Sequence, residues 1–384
     1  MVMVQDEDSA KFDGMPRSAI ATGVADYILP PHVMPSELMT YVEHRRSRDI
    51  DDRQTALISG DDRLSKIFQL VKNQTGVNFA QYKTSTAIRR IQRRLHVNRI
   101  ENLSDYLEHL VQSPREVSQL YKEMLIGVTN FFRDPEAFKK LRNEIIPKLI
   151  QEHGGKDPIR VWCTGCATGE EAYSLAILFT EVLESLGKTT EVKIFATDID
   201  RDALGFASQG AFPESIAADL SERHFKRFFT RIAGRYQIAR QIREMVVFAP
   251  HNLIKDPPFT RIDLLSCRNL LIYLQPSLQK KVLSLFRFAL NANGYLFLGS
   301  SESVGDFAEQ FRSVDSKWRI HQLRQGAKDH VPGMMHMPPD GFAKKGLPPR
   351  AHPIQRRNEK GELLEAICRA LIESQSKACI VVNE

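Results

Sequence analysis

Two adjacent acidic residues, Glu170 and Glu171, begin a stretch of helical periodicity directly after a turn that contains Gly165 and Gly169. The apolar run 159–162 precedes the turn and is typical of a buried strand. A strand, a tight glycine turn and a helix form the first unit of a nucleotide-type α/β sheet, and glycine lets the backbone pass close to a ligand. Two carboxylates at the helix start would repel a pyrophosphate, and the spacing is not G-x-G-x-x-G. The sequence therefore disfavours a dinucleotide at this turn.

A second apolar run, 191–196, ends close to the acidic residues Asp198 and Asp200. An acidic residue at the end of the second strand of such a sheet can accept hydrogen bonds from both ribose hydroxyls. Aspartate is also a favoured N-cap residue, and a helix is predicted for 201–208. We therefore predict that Asp198 is the ligand residue and Asp200 the cap. A ligand with positive charge and hydroxyls but no phosphate fits these residues, and S-adenosylmethionine is such a ligand.

The order of six short segments along the chain is the next informative feature. They span 87–95, 128–134, 161–174, 196–200, 251–253 and 267–273. In this order they resemble the chemotaxis receptor glutamate O-methyltransferases, the CheR family, over roughly residues 61–323. Several motifs in one order are more specific than a single glycine turn. The resemblance implies methyl transfer from S-adenosylmethionine to glutamate side chains of chemoreceptors in chemotaxis-type signalling, with S-adenosylhomocysteine as the product.

The fold class implied by the resemblance is α/β. A Rossmann-like S-adenosylmethionine-dependent methyltransferase domain is expected, with a small N-terminal all-helical domain and an inserted small β-subdomain. Apolar runs predict its strands at 159–162, 192–196, 245–248, 262–266 and 295–298, with a late antiparallel strand at 316–323.

Shifts in composition and pattern predict the domain boundaries. Residues 1–45 resemble the C-terminal end of the receptor methylesterases, the CheB family, without that family's catalytic residues. The other predicted parts are a linker at 46–62, the helical domain at 63–150, the methyltransferase domain at 151–324 with its subdomain at about 212–243, a linker at 325–358 and the start of a PAS-type sensor domain at 359–384. Together, the two ends suggest a fragment of a larger fusion protein.

The resemblance also implies the site residues, position by position. Arg133 and Tyr273 are the expected catalytic residues, near the transferred methyl group. The expected cofactor contacts are Thr129, Arg133, Glu171, Asp198, Asn252, Leu253, Arg268 and Asn269. Glu170 stays an alternative to Glu171, because two adjacent acids cannot be separated without coordinates. Many family members have asparagine where this chain has Gly127, so one side-chain contact to the cofactor is missing.

The residue types of Arg133 and Tyr273 suit this reaction. A glutamate carboxyl group, with an ordinary pKa of about 4.3, is ionised at neutral pH and needs no strong general base. A guanidinium can hold a carboxylate bidentately, and a tyrosine hydroxyl can orient the acceptor oxygen. Structural roles remain open at this point, since Arg133 could pair with Asp134 or Glu136 and Tyr273 could pack in the core. No metal and no Ser/His/Asp triad is expected.

Positive charge is concentrated in 83–99, which contains six basic residues and no acidic residue. Four arginines are spaced to share one side of a helix, with apolar residues on the other side: Arg89, Arg90, Arg93 and Arg94. Such a face could be merely solvated, could bind nucleic acid, or could dock an acidic protein helix. No aromatic residues lie between the arginines, and the resemblance favours docking to the cytoplasmic helices of methyl-accepting chemoreceptors. That docking should be salt-sensitive.

The composition is that of a globular protein, with 384 residues, 42% of them hydrophobic, and a net charge of +6. No apolar run reaches the roughly eighteen residues of a membrane span, and the acidic N-terminus has no signal-peptide pattern. Five cysteines without a disulfide pattern indicate a reducing cytoplasm. Cys163 and Cys166 lack the two further ligands that zinc requires, so we interpret them as small residues of the turn.

Two alternatives to the receptor glutamate methyltransferase are kept. The chain could be a catalytically weak S-adenosylmethionine-binding or receptor-docking regulatory module, for which Gly127 is an argument. A nucleic-acid methyltransferase is the other, suggested by the isoelectric point near 9.0.

Overall fold

The computed structural model describes residues 2–12, 14–21, 25–46, 62–125, 127–154, 157–232 and 234–324. The predicted linkers, apart from Arg46 and Asp62, and the predicted sensor segment 359–384 lie outside the described residues.

The N-terminal segment folds as two strand–helix pairs. Its elements are β1 (Met3–Gln5), α1 (Gly14–Ala21), β2 (Tyr27–Leu29) and α2 (Met34–Arg46). β1 and β2 pair in parallel, which requires a crossover connection, and α1 lies in that connection. Val4 is buried, whereas Ile28 and Met39 are 48% and 57% exposed. The segment therefore holds regular structure with little apolar core of its own.

Four helices follow and form a small helical domain. They are α3 (Asp62–Thr75), α4 (Thr84–Val97), α5 (Leu103–Gln112) and α6 (Pro114–Leu125). Each places its apolar stripe in one shared core, where Ile67, Ile91, Tyr106 and Leu120 are buried. The predicted helical domain is confirmed, but its predicted end at 150 is wrong, because the residues after 127, such as Phe138 and Ile146, pack in the core of the α/β domain.

The basic helix α4 differs from its prediction at Arg94. Arg89 is exposed and Arg90 and Arg93 are partly exposed, but Arg94 is buried at 8% exposure. The Arg94 guanidinium donates to Glu116 at 2.6 and 2.8 Å. A buried guanidinium needs such partners, because an unpaired charge in the interior is strongly unfavourable. The prediction that Arg94 belongs to an exposed docking face is therefore wrong.

Further polar groups surround the Arg94–Glu116 pair. Arg94 also donates to Glu123 at 2.9 Å, and the Tyr106 hydroxyl and the Asn98 amide each donate to Glu116 at 2.9 Å. The network joins α4, α5 and α6, so the charge of Arg94 holds the domain together.

The remaining elements build the α/β domain. Its strands are β3 (Ile159–Thr164), β4 (Val192–Asp198), β5 (Ala211–Phe212), β6 (Phe229–Ile232), β7 (Arg235–Ile238), β8 (Val246–Pro250), β9 (Ile262–Cys267), β10 (Leu290–Leu298), β11 (Phe311–Asp315) and β12 (Ile320–Leu323). Its α-helices are α7 (Pro135–Lys140), α8 (Ile146–Glu152), α9 (Glu170–Ser185), α10 (Arg201–Gln209), α11 (Glu222–Phe228), α12 (Arg240–Arg243) and α13 (Pro276–Ala289). No described helix is long and apolar enough to span a membrane.

Seven strands form the main sheet, in the order β11-β12-β10-β9-β3-β4-β8. The five strands from β10 to β8 are parallel, and β11 and β12 are antiparallel additions at one edge. The chain first winds outward from β3 through β4 to β8 and then returns to β9 on the other side of β3. The strand order therefore reverses between β3 and β9, and in open α/β sheets ligands bind at the carboxyl ends of the strands beside such a reversal.

The predicted strands are confirmed, with one difference at the end of the domain. A single late strand was expected at 316–323, but the structure has a hairpin of β11 and β12. Arg319, between the two strands, has a φ of 53°, which fits a turn. β11 escaped prediction because it is an edge strand with exposed polar residues, Arg312 and Ser313, rather than an apolar run.

The predicted β-subdomain is also present, as a three-stranded antiparallel sheet in the order β5-β7-β6. Phe131 packs edge-on against Phe212 and Phe229, with ring centroids 4.9 and 5.4 Å apart. This contact fixes the segment before α7 to the subdomain.

Replacing Arg94 with alanine should lower the free energy of unfolding by about 3–5 kcal/mol, because Glu116 would stay buried without its cation. Chemical denaturation followed by circular dichroism measures this change. Arg89→Ala is the matched control and should change stability by less than about 0.5 kcal/mol, since Arg89 is exposed. Equal losses in both variants would contradict a structural role for the buried pair.

Candidate active site

The carboxyl ends of β3, β4, β8 and β9 lie side by side and carry most of the predicted site residues. The glycine turn follows β3, Asp198 ends β4, Asn252 follows β8 and Arg268 follows β9. The sheet thus brings together residues that are up to about a hundred positions apart in the chain, at the point where the strand order reverses.

The turn after β3 has a backbone that suits close approach of a ligand. Gly165 and Gly169 have φ values of 66° and 94°, and Ala167 between them has a φ of 45°. A Cβ at Gly169 would lie 2.9 Å from the Cβ of Ala207, so no other residue fits there without a shift. Positive φ at a non-glycine residue is costly and is often found at functional sites.

Of the two roles predicted for Asp198 and Asp200, the structure tests only the helix cap. The Asp200 carboxylate accepts hydrogen bonds from the backbone N–H groups of Asp202 and Ala203 at 2.9 and 3.1 Å, so Asp200 is confirmed as the N-cap of α10. Asp198 accepts from the N–H of Ala167 at 2.8 Å, which joins β4 to the glycine turn. Burial raises the pKa of Asp198. Its role as a ribose ligand stays a prediction.

The geometry separates Glu170 from Glu171. Glu170 is 8% exposed, and its carboxylate accepts a hydrogen bond from the Thr168 hydroxyl at 2.6 Å. Glu171 reaches across to β9, where it accepts from the Ser266 hydroxyl at 2.6 Å and from Arg268 at 3.1 Å. Of the two acids, Glu171 is therefore the one that faces the gap between β3 and β9.

Arg268 is enclosed by protein groups at the end of β9, and its side chain is only 1% exposed. One terminal nitrogen binds Glu171, and the other donates to the Asp134 carboxylate at 2.6 Å and to the Arg133 carbonyl at 2.8 Å. The guanidinium lies 4.6 Å from the Phe297 ring centroid, a favourable cation–π distance. Arg268 thus positions Glu171 and the 131–134 segment, and its predicted contact with the cofactor remains a prediction.

Arg133 lies in a constrained part of the chain. Phe132 and Asp134, on either side of it, have φ values of 49° and 63°. The Arg133 guanidinium donates to the Val128 carbonyl at 3.0 Å and is partly exposed. The alternative salt bridge with Asp134 or Glu136 is not found, because Asp134 binds Arg268 and Glu136 binds Lys139. Arg133 therefore keeps donors available for a ligand.

Tyr273 is partly exposed at the end of the 3₁₀ turn Leu271–Tyr273 and is not part of the buried core. Its carbonyl accepts a hydrogen bond from the Lys83 N–H at 2.8 Å. Tyr82 next to Lys83 forms a bridge with Leu274. Tyr273 thus lies where the helical domain meets the α/β domain.

Glu302 is a positioning residue that the sequence analysis missed. Its carboxylate is buried and accepts hydrogen bonds from the N–H groups of Asn269, Leu270, Leu271 and Gly299 at 2.7–3.1 Å. The turn that carries Asn269 is held by these bonds. A loop glutamate gives no local signal for such a role, because its partners are backbone groups of another segment.

Asn269 has the geometry of a ligand residue. Its φ is 56°, and its Oδ1 atom is buried without a hydrogen-bond partner among the described residues. Buried polar groups are nearly always paired, and a hydroxyl or amine of a bound ligand would satisfy this oxygen.

Four other predicted positions lie around the crevice without a distinctive polar arrangement. Asn252 uses its side-chain oxygen to accept from the Ile254 N–H at 2.9 Å, while Leu253 and Thr129 are partly buried. A Cβ at Gly127 would meet only the Cβ of Ala167, at 4.0 Å. Gly127 therefore lies beside the glycine turn with room for a side chain, as expected if relatives place an asparagine there.

Two tyrosines of the helical domain approach Asp198, which the sequence analysis did not foresee. Burial, followed by the charge of Asp198, raises the pKa of Tyr82 to about 12. The Tyr121 hydroxyl lies 3.5 Å from the Ile199 carbonyl. The helical domain thus covers the end of β4.

Cys163 and Cys166 are buried free thiols. Burial raises the pKa of both thiols well above the ordinary value, so both stay protonated at neutral pH. This agrees with their interpretation as small residues of the turn.

The residues present fit S-adenosylmethionine. Its sulfonium and ammonium groups carry positive charge, which Glu171 and Asp198 can attract, and its ribose hydroxyls can be bound by a carboxylate. The unpaired Asn269 oxygen and the tight glycine turn are further features that a bound ligand would explain.

Three protein-family models match the chain. "CheR methyltransferase, SAM binding domain" matches residues 127–320, and "CheR methyltransferase, all-alpha domain" matches residues 62–125. "CheB methylesterase" matches residues 1–38.

Curated relatives agree with these matches. The chain is 41% identical over 348 residues to an uncharacterized 104.1 kDa protein of Rhodobacter capsulatus. This alignment covers 85% of this chain but only 37% of that protein. It is 32% identical over 257 residues to chemotaxis protein methyltransferase 2 of Pseudomonas aeruginosa, covering 64% of this chain and 90% of that protein. The chemotaxis protein methyltransferase of Borreliella burgdorferi is 30% identical over 250 residues, with coverages of 63% and 88%.

Asp198→Asn should weaken S-adenosylhomocysteine binding by about ten- to a hundred-fold, the effect of losing hydrogen bonds to a charged acceptor. Isothermal titration calorimetry measures this affinity. Asp200→Asn is the matched control and should bind normally, because asparagine is an equally good N-cap residue. Equal affinity in the Asp198 variant and the wild type would rule out the ribose role.

The fold, the crevice at the strand reversal and the matched family models agree with one another. The chain belongs to the CheR methyltransferase family, and it is an S-adenosylmethionine-dependent methyltransferase.

Proposed function

We propose that this chain transfers methyl groups from S-adenosylmethionine to glutamate side chains of chemoreceptors, as a protein-glutamate O-methyltransferase of chemotaxis-type signalling. Two relatives that share its methyltransferase region are named chemotaxis protein methyltransferases. The contacts of Arg268 are the observation that carries the proposal. They link Glu171 and the segment of Arg133 to the end of β9, the strand that precedes Tyr273.

S-adenosylmethionine, when bound, supplies a methyl group that moves from its sulfonium to a carboxylate oxygen, while the bonding electrons stay on sulfur. Asp198 would accept the ribose hydroxyls, and Glu171 would attract the positive charge. The acceptor glutamate is already ionised, so no residue of this chain has to remove a proton. The enzyme therefore has to align the methyl donor with the acceptor oxygen and exclude water.

Arg133 and Tyr273 would perform the alignment. Arg133 would hold a carboxylate, either that of the cofactor or that of the substrate, through its guanidinium. Tyr273 would orient the acceptor oxygen by donating from its hydroxyl. Phe131 and Phe132, which are buried beside Arg133, would keep water from the reacting atoms.

The receptor partner would dock on the basic helix α4. Arg89, Arg90 and Arg93 are at least partly exposed, and Arg94 supports them from inside the domain rather than contacting the partner. An acidic helix of a cytoplasmic receptor domain has the complementary charge, and an enzyme that docks there would act in the cytoplasm. Docking of this kind should weaken as salt is added.

A catalytically weak module that only binds S-adenosylmethionine or a receptor is the second candidate. It is favoured by Gly127, where a side chain beside the glycine turn is missing although there is space for it. Cofactor binding without methyl transfer would support this candidate.

Incubation with labelled S-adenosylmethionine and membranes that carry chemoreceptors should label the receptors. Alkali treatment should then release the label as volatile methanol, because a carboxyl methyl ester is hydrolysed by base. Nuclease-treated samples serve as the control against nucleic-acid methylation. Cofactor binding by calorimetry together with unlabelled receptors would argue against the proposed function.

Tyr273→Phe should lower kcat by about ten- to a hundred-fold while S-adenosylhomocysteine binding stays unchanged, since the hydroxyl would act on the substrate oxygen. Steady-state kinetics and calorimetry separate the two effects. Tyr295→Phe, three residues before the end of β10, removes a hydroxyl elsewhere and should leave kcat unchanged. An unchanged kcat in the Tyr273 variant would remove this residue from the mechanism.

A further inference from the structure

The N-terminal segment lies against the C-terminal half of the basic helix α4. Arg93 binds the Asp26 carboxylate at 2.6 Å, and the side chain of Asp26 is only 3% exposed. Arg99, just after α4, pairs with Glu37 of α2, and the Tyr27 hydroxyl donates to the Val97 carbonyl at 3.1 Å. Two acidic side chains of one segment thus neutralise two arginines at this end of the helix.

The two ends of the basic stretch therefore differ. Arg89 and Arg90 make no ion pair with any described residue, and they face outward at least in part. Arg93 has two acidic partners, since Glu123 lies 3.4 Å away in addition to Asp26. Part of the face that an acidic receptor helix would use is thus already filled by acidic groups of this chain.

The contacts that hold the segment are mainly polar. Val4 is buried, but Phe12, Met15 and Met39 are 80%, 83% and 57% exposed. Elements with few buried apolar contacts open at low cost, and the pair of Glu37 with Arg99, whose side chain is 58% exposed, is a weak surface ion pair. The Asp26–Arg93 pair is more buried, but Arg93 keeps Glu123 as a second acidic partner when Asp26 leaves. A partner with several carboxylates could replace Asp26 and Glu37 without unfolding the helical domain, whose core lies on the other side of α4.

We propose that residues 25–46 are an intramolecular competitor of the receptor: Asp26 and Glu37 occupy Arg93 and Arg99, and receptor docking displaces them. This inference rests on the proposed function and adds a regulation of the same docking face. The segment that matches the methylesterase family thereby controls access of substrate to the methyltransferase.

Removing the two carboxylates tests the competition in the full chain. The double variant Asp26→Asn, Glu37→Gln should lower KM for receptor-bearing membranes by about two- to ten-fold, because the exposed Arg99–Glu37 pair and one of the two acidic partners of Arg93 are lost. The kcat and the S-adenosylhomocysteine affinity should not change. Asp8→Asn is the matched control, because it removes one charge from the same segment at an exposed position. Glu37→Gln alone shows the direction of the effect if the double variant is poorly folded.

Hydrogen exchange is a second measurement of the displacement, and it does not depend on catalysis. Addition of receptor membranes to the wild type should speed amide exchange in residues 25–46 and slow it in α4. Unchanged exchange in 25–46, together with unchanged KM in the variants, would overturn the competition while wild-type methylation kept the proposed function standing. A wild-type protein that methylates no receptor would contradict both the proposed function and this inference.

Discussion

The active site depends on the burial of one cation, the guanidinium of Arg268. An arginine side chain with 1% exposure is tolerated only if its charge is balanced, and both terminal nitrogens of Arg268 are hydrogen-bonded. Glu171 of α9, Asp134 and the Arg133 carbonyl supply that balance, and the Phe297 ring lies against the charge. These partners belong to separate parts of the chain, so satisfying Arg268 draws together the residues that would bind cofactor and substrate. Loss of the charge would leave two carboxylates facing each other near the crevice.

The sheet supplies the second constraint. Because the strand order reverses between β3 and β9, the connections that follow these two paired strands run in opposite directions and leave a gap outside their carboxyl ends. The glycine turn occupies one side of this gap and the Glu302-held turn the other. Four non-glycine residues near this gap, Phe132, Asp134, Ala167 and Asn269, have positive φ values, and such backbone strain is common at functional sites.

The helical domain contributes both to the site and to the proposed docking surface. One end approaches Asp198 through Tyr82 and Tyr121, and α4 presents the arginines that would meet a receptor. The N-terminal segment reaches the same helix through Asp26. A single helix therefore connects the interior ion-pair network, the outward basic face and the methylesterase-like segment. We therefore expect that a structural change in one of these three parts affects the other two.

The sequence by itself determined six of the seven strands of the main sheet, the glycine turn, the Asp200 cap and the residues at the strand ends. These follow from local patterns, namely apolar runs, capping preference and the ordered motifs. Only the tertiary structure directed Glu171, and not Glu170, towards Arg268, buried Arg94 and gave Glu302 its role. In each of these cases the outcome depends on a group that is distant in the sequence. Arg268 pairs with Glu171, Arg94 pairs with Glu116, and backbone N–H groups of another turn donate to Glu302. Spacing along a helix fixes the direction of a side chain, but the partner found in that direction is set by packing of elements far away in the chain.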